Sequence, residues 1–244
     1  MDYTLEVCAG SLRSALAAEE GGADRVELCD NLFEGGTTPS YGMIKISRSL
    51  LNIPVFPIIR PRGGDFIYSD HEFDVMKQDI SSCADLGCEG VVFGILCPDG
   101  SVDIERCSEL ARISGSMTLT FHRAFDRCSN RRNALEDIIS MGFHRILTSG
   151  GMDQAADAIP ELRQLVEQAG TRISIMPGSG INTHNLLKIA KESGAYEFHS
   201  TARKNIKAQH ESPQNNLDAQ YLNETDAEIV AEMRTILTAE SSAL

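Results

Sequence analysis

The sequence lacks the features that mark membrane proteins, secreted proteins and nucleic-acid-binding proteins. No apolar run reaches the roughly 18 residues that a membrane-spanning helix needs. Residues 1–10 lack the basic start and apolar centre of a signal peptide, and they already have the pattern of a strand. Acidic residues outnumber basic ones, 35 to 22, which gives a net charge of −13. We therefore expect neither a membrane nor a nucleic acid as partner.

The seven cysteines do not match a disulfide framework. Their number is odd and no two are spaced as CxxC. Isolated cysteines are typical of a reducing compartment, so we expect the protein in the cytoplasm. A methionine-rich copper motif is also absent. Small anions stay open as ligands, because a few arginines can determine the charge of a pocket even in an acidic chain.

One pattern recurs four times along the chain: a helical end, a glycine, a few further residues and a β-rich run. The glycines are Gly22, Gly87, Gly142 and Gly194. A glycine just past a helix end supplies a left-handed cap, and a short link from helix to strand is typical of α/β proteins. Each interval between these glycines has room for two strand–helix units.

Further β-rich runs occupy those intervals and the start of the chain, at residues 4–8, 55–59, 117–122 and 173–176. The count then reaches eight strands that alternate with helices. Eight such units in 244 residues predict an α/β fold, a TIM-like (β/α)8 barrel that forms a single domain over residues 1–244. A doubly wound open sheet is the alternative. The polar residues 203–224 predict an irregular loop before the last helix.

The third predicted strand stops abruptly and is followed by Arg60, Pro61, Arg62, Gly63 and Gly64. Pro61 disfavours helix at Arg60, so the strand ends extended, and the two glycines allow a turn. The carboxyl ends of strands are where α/β folds place their sites. Arg60 and Arg62 therefore predict an anion-binding corner. The alternative is that they only neutralise nearby carboxylates.

The alternation of side chains along the strands indicates which residues face the barrel interior. On the first strand Glu6 and Cys8 point inward, and on the second Glu27 and Cys29 do so. Buried carboxylates are costly unless they are paired, so we expect cationic partners for Glu6 and Glu27 at the barrel mouth. The expected partners are Arg60, Arg62 and His122.

The fifth predicted strand ends at His122, and Asp126 follows. A histidine at a barrel mouth is a candidate general acid, general base or ligand, and Asp126 is placed to orient it or a substrate. These residues predict a lyase or isomerase that acts on a small anionic or phosphorylated metabolite. No lysine ends a strand ahead of the eighth, which argues against a Schiff-base aldolase. The candidate catalytic residues are Glu6, Glu27, Arg60, Arg62, His122 and Asp126.

A glycine-containing turn follows the seventh predicted strand, which is a common phosphate-binding position in such barrels. Gly178 and Gly180 allow the backbone to approach an anion, and a helix predicted from near Asn182 would direct its N–H groups toward it. Hydroxyl groups at the end of the eighth strand add donors. The alternative is a tight turn without a ligand. The predicted anion-binding residues are Gly178, Ser179, Gly180, Ser200 and Thr201.

Seven segments of the sequence together resemble the CutC family, the so-called copper homeostasis proteins. They are long enough to be specific, whereas the C-terminal part of the chain is less diagnostic. The segments are GGADRVELC (21–29), EGGTTPS (34–40), IRPRGGDFIYSD (59–70), FHRAFD (121–126), ILTSGG (146–151), MPGSGI (176–181) and EFHSTAR (197–203).

The resemblance implies a TIM-like barrel, a cytoplasmic location, a homo-oligomer and a role in copper homeostasis, with no established enzymatic reaction. The family cysteines proposed to bind copper fall on Cys8 and Cys29. Thiolates select Cu(I), whereas a buried cysteine usually acts as a small hydrophobic residue. Cu(I) binding is thus the function that the resemblance implies, and an enzyme for an anionic metabolite is the alternative. A non-catalytic scaffold would leave the polar interior unexplained.

Overall fold

Eight parallel strands form the centre of the computed structural model, which describes residues 3–207 and 221–241. They form two four-stranded arcs, in the order third–second–first–eighth and fourth–fifth–sixth–seventh. A bridge between Ile58 and Val92 joins the arcs on one side, and the seventh strand contacts the eighth on the other. The predicted (β/α)8 barrel is confirmed. The strands are β1 (Thr4–Ala9), β2 (Arg25–Leu28), β3 (Val55–Pro57), β4 (Gly90–Phe93), β5 (Thr118–Phe121), β6 (Arg145–Thr148), β7 (Ser174–Pro177) and β8 (Glu197–Ser200).

Eight α-helices surround the strands within the described residues, and polar side chains start most of them. Ser69 and Glu72 form a capping box at the third helix. At the last helix the spacing of Thr225 and Glu228 resembles a capping box, but the cap is Asp226, which accepts from two backbone N–H groups. Thr225 instead donates to the carbonyl of Thr201. The helices are α1 (Leu12–Glu20), α2 (Tyr41–Leu50), α3 (Asp70–Asp85), α4 (Ile104–Ile113), α5 (Arg131–Ser140), α6 (Ile159–Ala169), α7 (Leu186–Ser193) and α8 (Ala227–Ser241).

The segment before α8 differs from its prediction. The loop expected over residues 203–224 contains two antiparallel strands, β9 (Arg203–Lys207) and β10 (Tyr221–Thr225). The two strands pair with each other at the surface and cover little of the core, so their sequences are polar. They therefore lack the apolar alternation from which a strand is predicted. Residues 208–220, which include Pro213, lie outside the described residues. Glu224 accepts hydrogen bonds from Ser11 and Ser14 and so attaches the hairpin to α1.

Two hydrophobic clusters lie on opposite sides of the strands. Leu5 and Val7 belong to the large cluster that fills the space between strands and helices. A small cluster contains Cys8, Cys29 and Phe56 and lies inside the barrel. This alternation follows from the two-residue period of a strand, as the sequence predicts. Inside the barrel, this small cluster is accompanied by buried polar and charged side chains.

A set of four paired charges fills the amino-terminal part of the barrel interior. We name Glu6, Arg25, Arg145 and Glu197 the ionic layer. Arg25 Nε lies 2.5 Å from Glu6 Oε2, and Arg145 Nε lies 3.0 Å from Glu197 Oε2. Arg25 also pairs with Glu197, so the four charges form one connected network. Both guanidinium groups lie against the ring of Phe56, at 5.6 and 5.4 Å from its centroid.

The ionic layer corrects the predicted pairing of Glu6. Its partners are Arg25 and His199, not Arg60, Arg62 or His122. Burial alone would raise the pKa of Glu6, but Arg25 and the hydrogen bond with His199 outweigh it and hold that pKa well below its usual range. The pairing depends on strand neighbours, because β1 lies between β2 and β8. Glu6 is therefore a buried, ionised support beneath the barrel mouth.

No helix within residues 3–207 and 221–241 combines the length and the apolar character needed to cross a membrane.

Candidate functional site

Two cysteines lie side by side inside the barrel, on the carboxyl-terminal side of the ionic layer. Cys8 on β1 and Cys29 just after β2 have their sulfur atoms 3.4 Å apart. Cys29 Sγ is also 3.3 Å from Glu27 Oε2. One ligand atom each from Cys8, Glu27 and His199 lies within 4.8 Å of the others. We name Cys8, Cys29, Glu27 and His199 the thiol centre; all four are buried.

Hydrogen bonds and burial set the charges of the thiol centre. A hydrogen bond with Cys29 lowers the pKa of Cys8 to about 5, although burial opposes this. The same hydrogen bond and burial raise the pKa of Cys29 well above its usual value. Burial raises the pKa of Glu27, and the neighbouring Cys8 adds to the rise. Of the two cysteines, Cys8 therefore ionises more readily and Cys29 retains its proton more strongly.

His199 connects the thiol centre to the ionic layer. Its Nδ1 atom lies 2.7 Å from Glu6 Oε1, and its Nε2 atom lies 3.7 Å from Glu27 Oε2. Burial alone would lower the pKa of His199, but Glu27, Cys8 and Glu6 raise it well above its usual value. Glu27 Oε1 has no hydrogen-bond partner in the described part of the chain. A buried carboxylate oxygen in that state has a bonding position open for a ligand.

A cavity of about 310 Å³ opens from the thiol centre at the carboxyl ends of the strands. We name it the mouth cavity. Cys8, Glu27 and His199 form part of its floor. Its apolar walls come from Leu32, Ile58, Phe66, Leu147 and Ile181. The cationic side chains that line it are Arg60, Arg123 and Arg203.

Arg60 lines the mouth cavity, but its hydrogen bonds differ from those predicted. Its guanidinium donates to the carbonyl oxygens of Glu34, Gly36 and Gly64 and to no carboxylate within residues 3–207 and 221–241. The ring of Phe66 packs on it, with the centroid 4.9 Å from Cζ. Its Nε atom is buried without a partner. Arg60 is thus a fixed positive charge at the cavity wall.

His122 lies against the same wall. Its Nδ1 atom accepts the backbone N–H of Ala124 at 3.3 Å. The ring packs on Phe66, with centroids 4.9 Å apart, and Gly94 leaves room for it, since a Cβ there would lie 2.9 Å from Nδ1. Burial lowers the pKa of His122 to about 3, and the charge of Arg60 adds to this effect. His122 contacts neither Glu6 nor Glu27, so the expected pairs with these carboxylates are not formed.

Arg62 points away from the mouth cavity, although its neighbour Arg60 lines it. Arg62 Nε lies 2.6 Å from Glu72 Oε1, and its Nη1 atom lies 3.0 Å from Asp65 Oδ1. The chain leaves the barrel wall after β3, so strand alternation no longer applies at Arg62. Arg62 therefore holds the loop before α3 in place, which is the structural alternative considered for it.

Asp126 also lies apart from His122. Its carboxylate accepts the backbone N–H groups of Ser149 and Gly151 and the hydroxyl of Ser149. The Thr148 hydroxyl also donates to it, and Arg123 Nε lies 2.8 Å from Oδ2. Asp126 thus fixes the turn after β6 and the Arg123 side chain. It does not orient His122, and a direct role toward a substrate stays a prediction.

The predicted anion-binding turn is only partly at the mouth cavity. Ser179, Gly180, Ser200 and Thr201 line it. Gly178 does not, and its lack of a side chain serves packing, because a Cβ there would lie 2.4 Å from Leu147 Cδ1. The helix expected near Asn182 begins at Leu186. Residues 182–185 form a turn held by Asn side chains, so the helix N-terminus is displaced from the turn. Anion binding here stays a prediction.

Four residues that shape the site are not among the predicted site residues, although strand alternation directs His199 inward: Arg25, Arg145, His199 and Arg203. Strand alternation contained a signal for three of them. Arg25 is two residues before Glu27 on β2, His199 is two after Glu197 on β8, and Arg145 is two before Leu147 on β6. Arg203 lay in the segment taken as an irregular loop.

Comparison with known proteins places the chain in a family. The model of the CutC family matches residues 3–204. A CutC family protein of Chromobacterium violaceum is 53% identical over 203 residues, which is 83% of this chain and 82% of that protein. A human protein named copper homeostasis protein cutC homolog is 50% identical over 201 residues, or 82% of this chain and 74% of its own length.

A solved structure is also similar. The crystal structure of CutC from Streptococcus agalactiae superposes with a TM-score of 0.79 at 37% sequence identity. The match covers 82% of this chain and 98% of that one. The family model ends at residue 204 and so leaves out most of the hairpin and α8. From the match over residues 3–204 and these relatives, the chain belongs to the CutC family.

Proposed function

We propose that this protein binds Cu(I) as cargo at the thiol centre, in the reducing cytoplasm. The observation that carries the proposal is the buried pair of sulfur atoms, 3.4 Å apart, beside a histidine and a carboxylate. Soft thiolate ligands select Cu(I) over the harder divalent ions. The human relative's name, copper homeostasis protein, supports copper as the ion.

The donor geometry of the thiol centre fits a small thiophilic ion. Two sulfurs bound to one ion at about 2.3 Å are roughly 3.8 Å apart at a tetrahedral angle. The observed separation of 3.4 Å therefore needs to widen by only a few tenths of an ångström. Cys8 is the more readily ionised of the two cysteines, and the Cys29 S–H faces Glu27, which is a stronger base than a free carboxylate. Cys8 and Cys29 are the ligands that we assign; His199 would have to lose the proton on Nε2 before it could join them, because its pKa is raised.

Access and location support the same role. Cys8 lines the mouth cavity, so an ion can reach it without opening of the barrel. All seven cysteines are free thiols, as a reducing compartment requires. Cytoplasmic location and assembly into a homo-oligomer belong to this proposal as expectations from the family.

Competitive titration of Cu(I) tests the proposal. Reduced protein is titrated anaerobically against a coloured Cu(I) chelator, and the same titration is done with the Cys8→Ser/Cys29→Ser variant. We expect one Cu(I) per chain in the wild type and at least a hundredfold weaker binding in the variant. The matched control is Cys83→Ser/Cys88→Ser, another pair of buried cysteines that interact, outside the site. Equal affinity of the wild type and the Cys8/Cys29 variant would refute the thiol centre.

A second candidate function is a lyase or isomerase that acts on a small anionic or phosphorylated metabolite. The mouth cavity favours it, because three arginines line a space of about 310 Å³ that is large enough for a metabolite. Its catalytic residues would come from Glu27, Arg60 and His122, since Arg62 and Glu6 do not line the cavity. Turnover of a metabolite without bound copper would establish this function.

A further inference from the structure

The wall of the mouth cavity contains polar atoms that no residue of the described chain satisfies. His122 Nε2 and Arg60 Nε are both buried and without hydrogen-bond partners. His122 and Arg60 are each 3% exposed, so bulk water does not readily solvate these atoms. A buried donor without an acceptor costs about 1–3 kcal/mol, so in a native protein such a donor usually has a partner, which is a protein group, an ordered water or a ligand.

The tautomer of His122 follows from its backbone contact. The Ala124 N–H donates to Nδ1, so Nδ1 carries no proton. A neutral imidazole has one ring proton, which is therefore on Nε2. Burial and the charge of Arg60 keep the ring neutral at physiological pH, because its pKa is about 3. His122 is thus a fixed N–H donor at the cavity and neither a general base nor a metal ligand through Nε2.

The wall of the cavity is positive, in contrast to the net charge of −13 for the whole chain, whereas acidic groups of the thiol centre lie at its floor. Arg60 contacts carbonyl oxygens but no carboxylate within residues 3–207 and 221–241. Arg203 also lines the cavity and has no carboxylate partner among the described residues. Arg123 is neutralised by Asp126. Two arginines without a carboxylate partner in the described part of the chain attract an anion to this wall.

The size and the walls of the cavity limit the ligand further. A volume of about 310 Å³ is at the lower end of the range for small-molecule sites. Apolar side chains such as Ile58, Leu147 and Ile181 form much of the wall. They suit a carbon skeleton and give no bonds to an inorganic ion.

We propose that the mouth cavity binds a small organic oxyanion, with one ligand oxygen accepting the His122 Nε2–H and the ligand charge near Arg60 and Arg203. The anionic group is a carboxylate or a phosphate. The proposed contacts to the anion lie on the cavity wall, whereas Cys8 lies at its floor, and anion binding does not depend on Cu(I). The site deepens the second candidate function by assigning the donor, and it requires binding without requiring turnover.

Titration calorimetry of the full chain in copper-free, reducing buffer tests the proposal. The probes are 2-oxoglutarate, ribose 5-phosphate, inorganic phosphate and neutral ribose. We expect at least one organic anion to bind tenfold or more tightly than both inorganic phosphate and ribose. Preference for 2-oxoglutarate or for ribose 5-phosphate identifies the group as carboxylate or phosphate. Binding of neither organic anion at millimolar concentration overturns the proposal.

Two variants locate the bound anion. His122→Phe removes the donor and keeps a ring against Phe66, and we expect about tenfold weaker binding, the effect of one hydrogen bond. Arg203→Gln should weaken binding several-fold, with a smaller loss at high salt. His71→Phe on the exposed start of α3 is the matched control and should bind as the wild type does. Unchanged affinity in both His122→Phe and Arg203→Gln would place the anion elsewhere and overturn the proposal.

Two further measurements keep the result interpretable. If His122→Phe does not fold, the imidazole ¹⁵N resonances of the wild type report the tautomer, and titration with the anion should shift the Nε2 resonance of His122. An unshifted resonance overturns the proposed contact. The Cys8→Ser/Cys29→Ser variant should bind the anion at least as tightly as the wild type, because it removes an acidic thiol from the cavity floor and none of the proposed donors. A loss of anion binding there would overturn the independence of this site from the thiol centre.

Discussion

The ionic layer and the mouth cavity lie along the same strands and differ in how completely their polar atoms are paired. In the ionic layer Glu6 uses one carboxylate oxygen for Arg25 and the other for His199, and Glu197 accepts from two arginines. In the mouth cavity Glu27 Oε1, His122 Nε2 and Arg60 Nε have no partners among the described residues. The paired charges hold the barrel together, and the unpaired atoms are available to a ligand.

A step of two residues along one strand separates these regions. On β2, Arg25 belongs to the ionic layer, and Glu27 belongs to the thiol centre. Each unpaired buried group lowers the stability of the fold by about 1–3 kcal/mol. Charged residues inside a barrel therefore do not by themselves indicate a site. Buried polar atoms without partners are the more informative sign, and the predictions below test that distinction.

The largest expected effect comes from breaking the ionic layer. Arg25→Met should lower the free energy of unfolding by about 3–5 kcal/mol, because it removes the guanidinium that pairs with the two buried carboxylates of Glu6 and Glu197. Urea unfolding followed by circular dichroism measures this change. A loss below about 1 kcal/mol would show that the layer is not the structural support described here.

A smaller effect, and one specific to the mouth cavity, is the pH dependence of stability due to His122. Its pKa is about 3 in the folded chain and 6.5 ordinarily, so between these values the unfolded state binds a proton that the folded state does not. Stability should therefore fall as the pH is lowered from 6.5 toward 3, by up to about 1.4 kcal/mol per pH unit, and His122 should contribute no slope above 6.5.

The contribution of His122 is isolated by a difference between two proteins. Urea unfolding of the wild type and His122→Phe is compared at several pH values, because other groups titrate equally in both. The difference in unfolding free energy should shift in favour of His122→Phe as the pH falls below 6.5. A constant difference would mean that the imidazole is not held neutral.

The smallest expected effect is that of Arg62→Met, the matched control for Arg25→Met. Arg62 has two carboxylate partners, as Arg25 does, but its side chain is 40% exposed. Exposed ion pairs contribute about 0–1 kcal/mol, so the unfolding free energy should change by no more than that. Cu(I) affinity should be unchanged. A cost similar to that of Arg25→Met would remove the contrast between surface and interior pairing.

The sequence predicted the barrel and the inward direction of its polar residues because both follow from local periodicity. Recurrent glycines and β-rich runs give the strand count, and alternation places Cys8 and Glu27 inside. The partners of Glu6 could not be predicted in the same way. They depend on which strands are neighbours and on their register, which sets Glu6 opposite Arg25 on one side and His199 on the other.

The contrast between Arg60 and Arg62 shows a second limit of the sequence. The two residues have the same type and the same neighbour, Pro61. Arg60 is directed to the cavity by carbonyl groups of the loop after β2, and Arg62 is directed outward by Glu72. The carbonyl partners of Arg60 are remote from it in sequence, and the pairing of Arg62 with Glu72 depends on how the loop between them turns. Only the folded structure distinguishes the two arginines.

The contacts of α8 place the two ends of the described chain beside each other. Arg234 on this helix donates to the carbonyl of Tyr3, and Tyr3 and Ser241 border one small surface cleft. A short linker could therefore join the ends without crossing the barrel mouth. Such a circularised chain could be reopened in a surface loop far from the cavity, for instance between α4 and β5. This permuted order of strands should form the same barrel, because the ring has no intrinsic first strand.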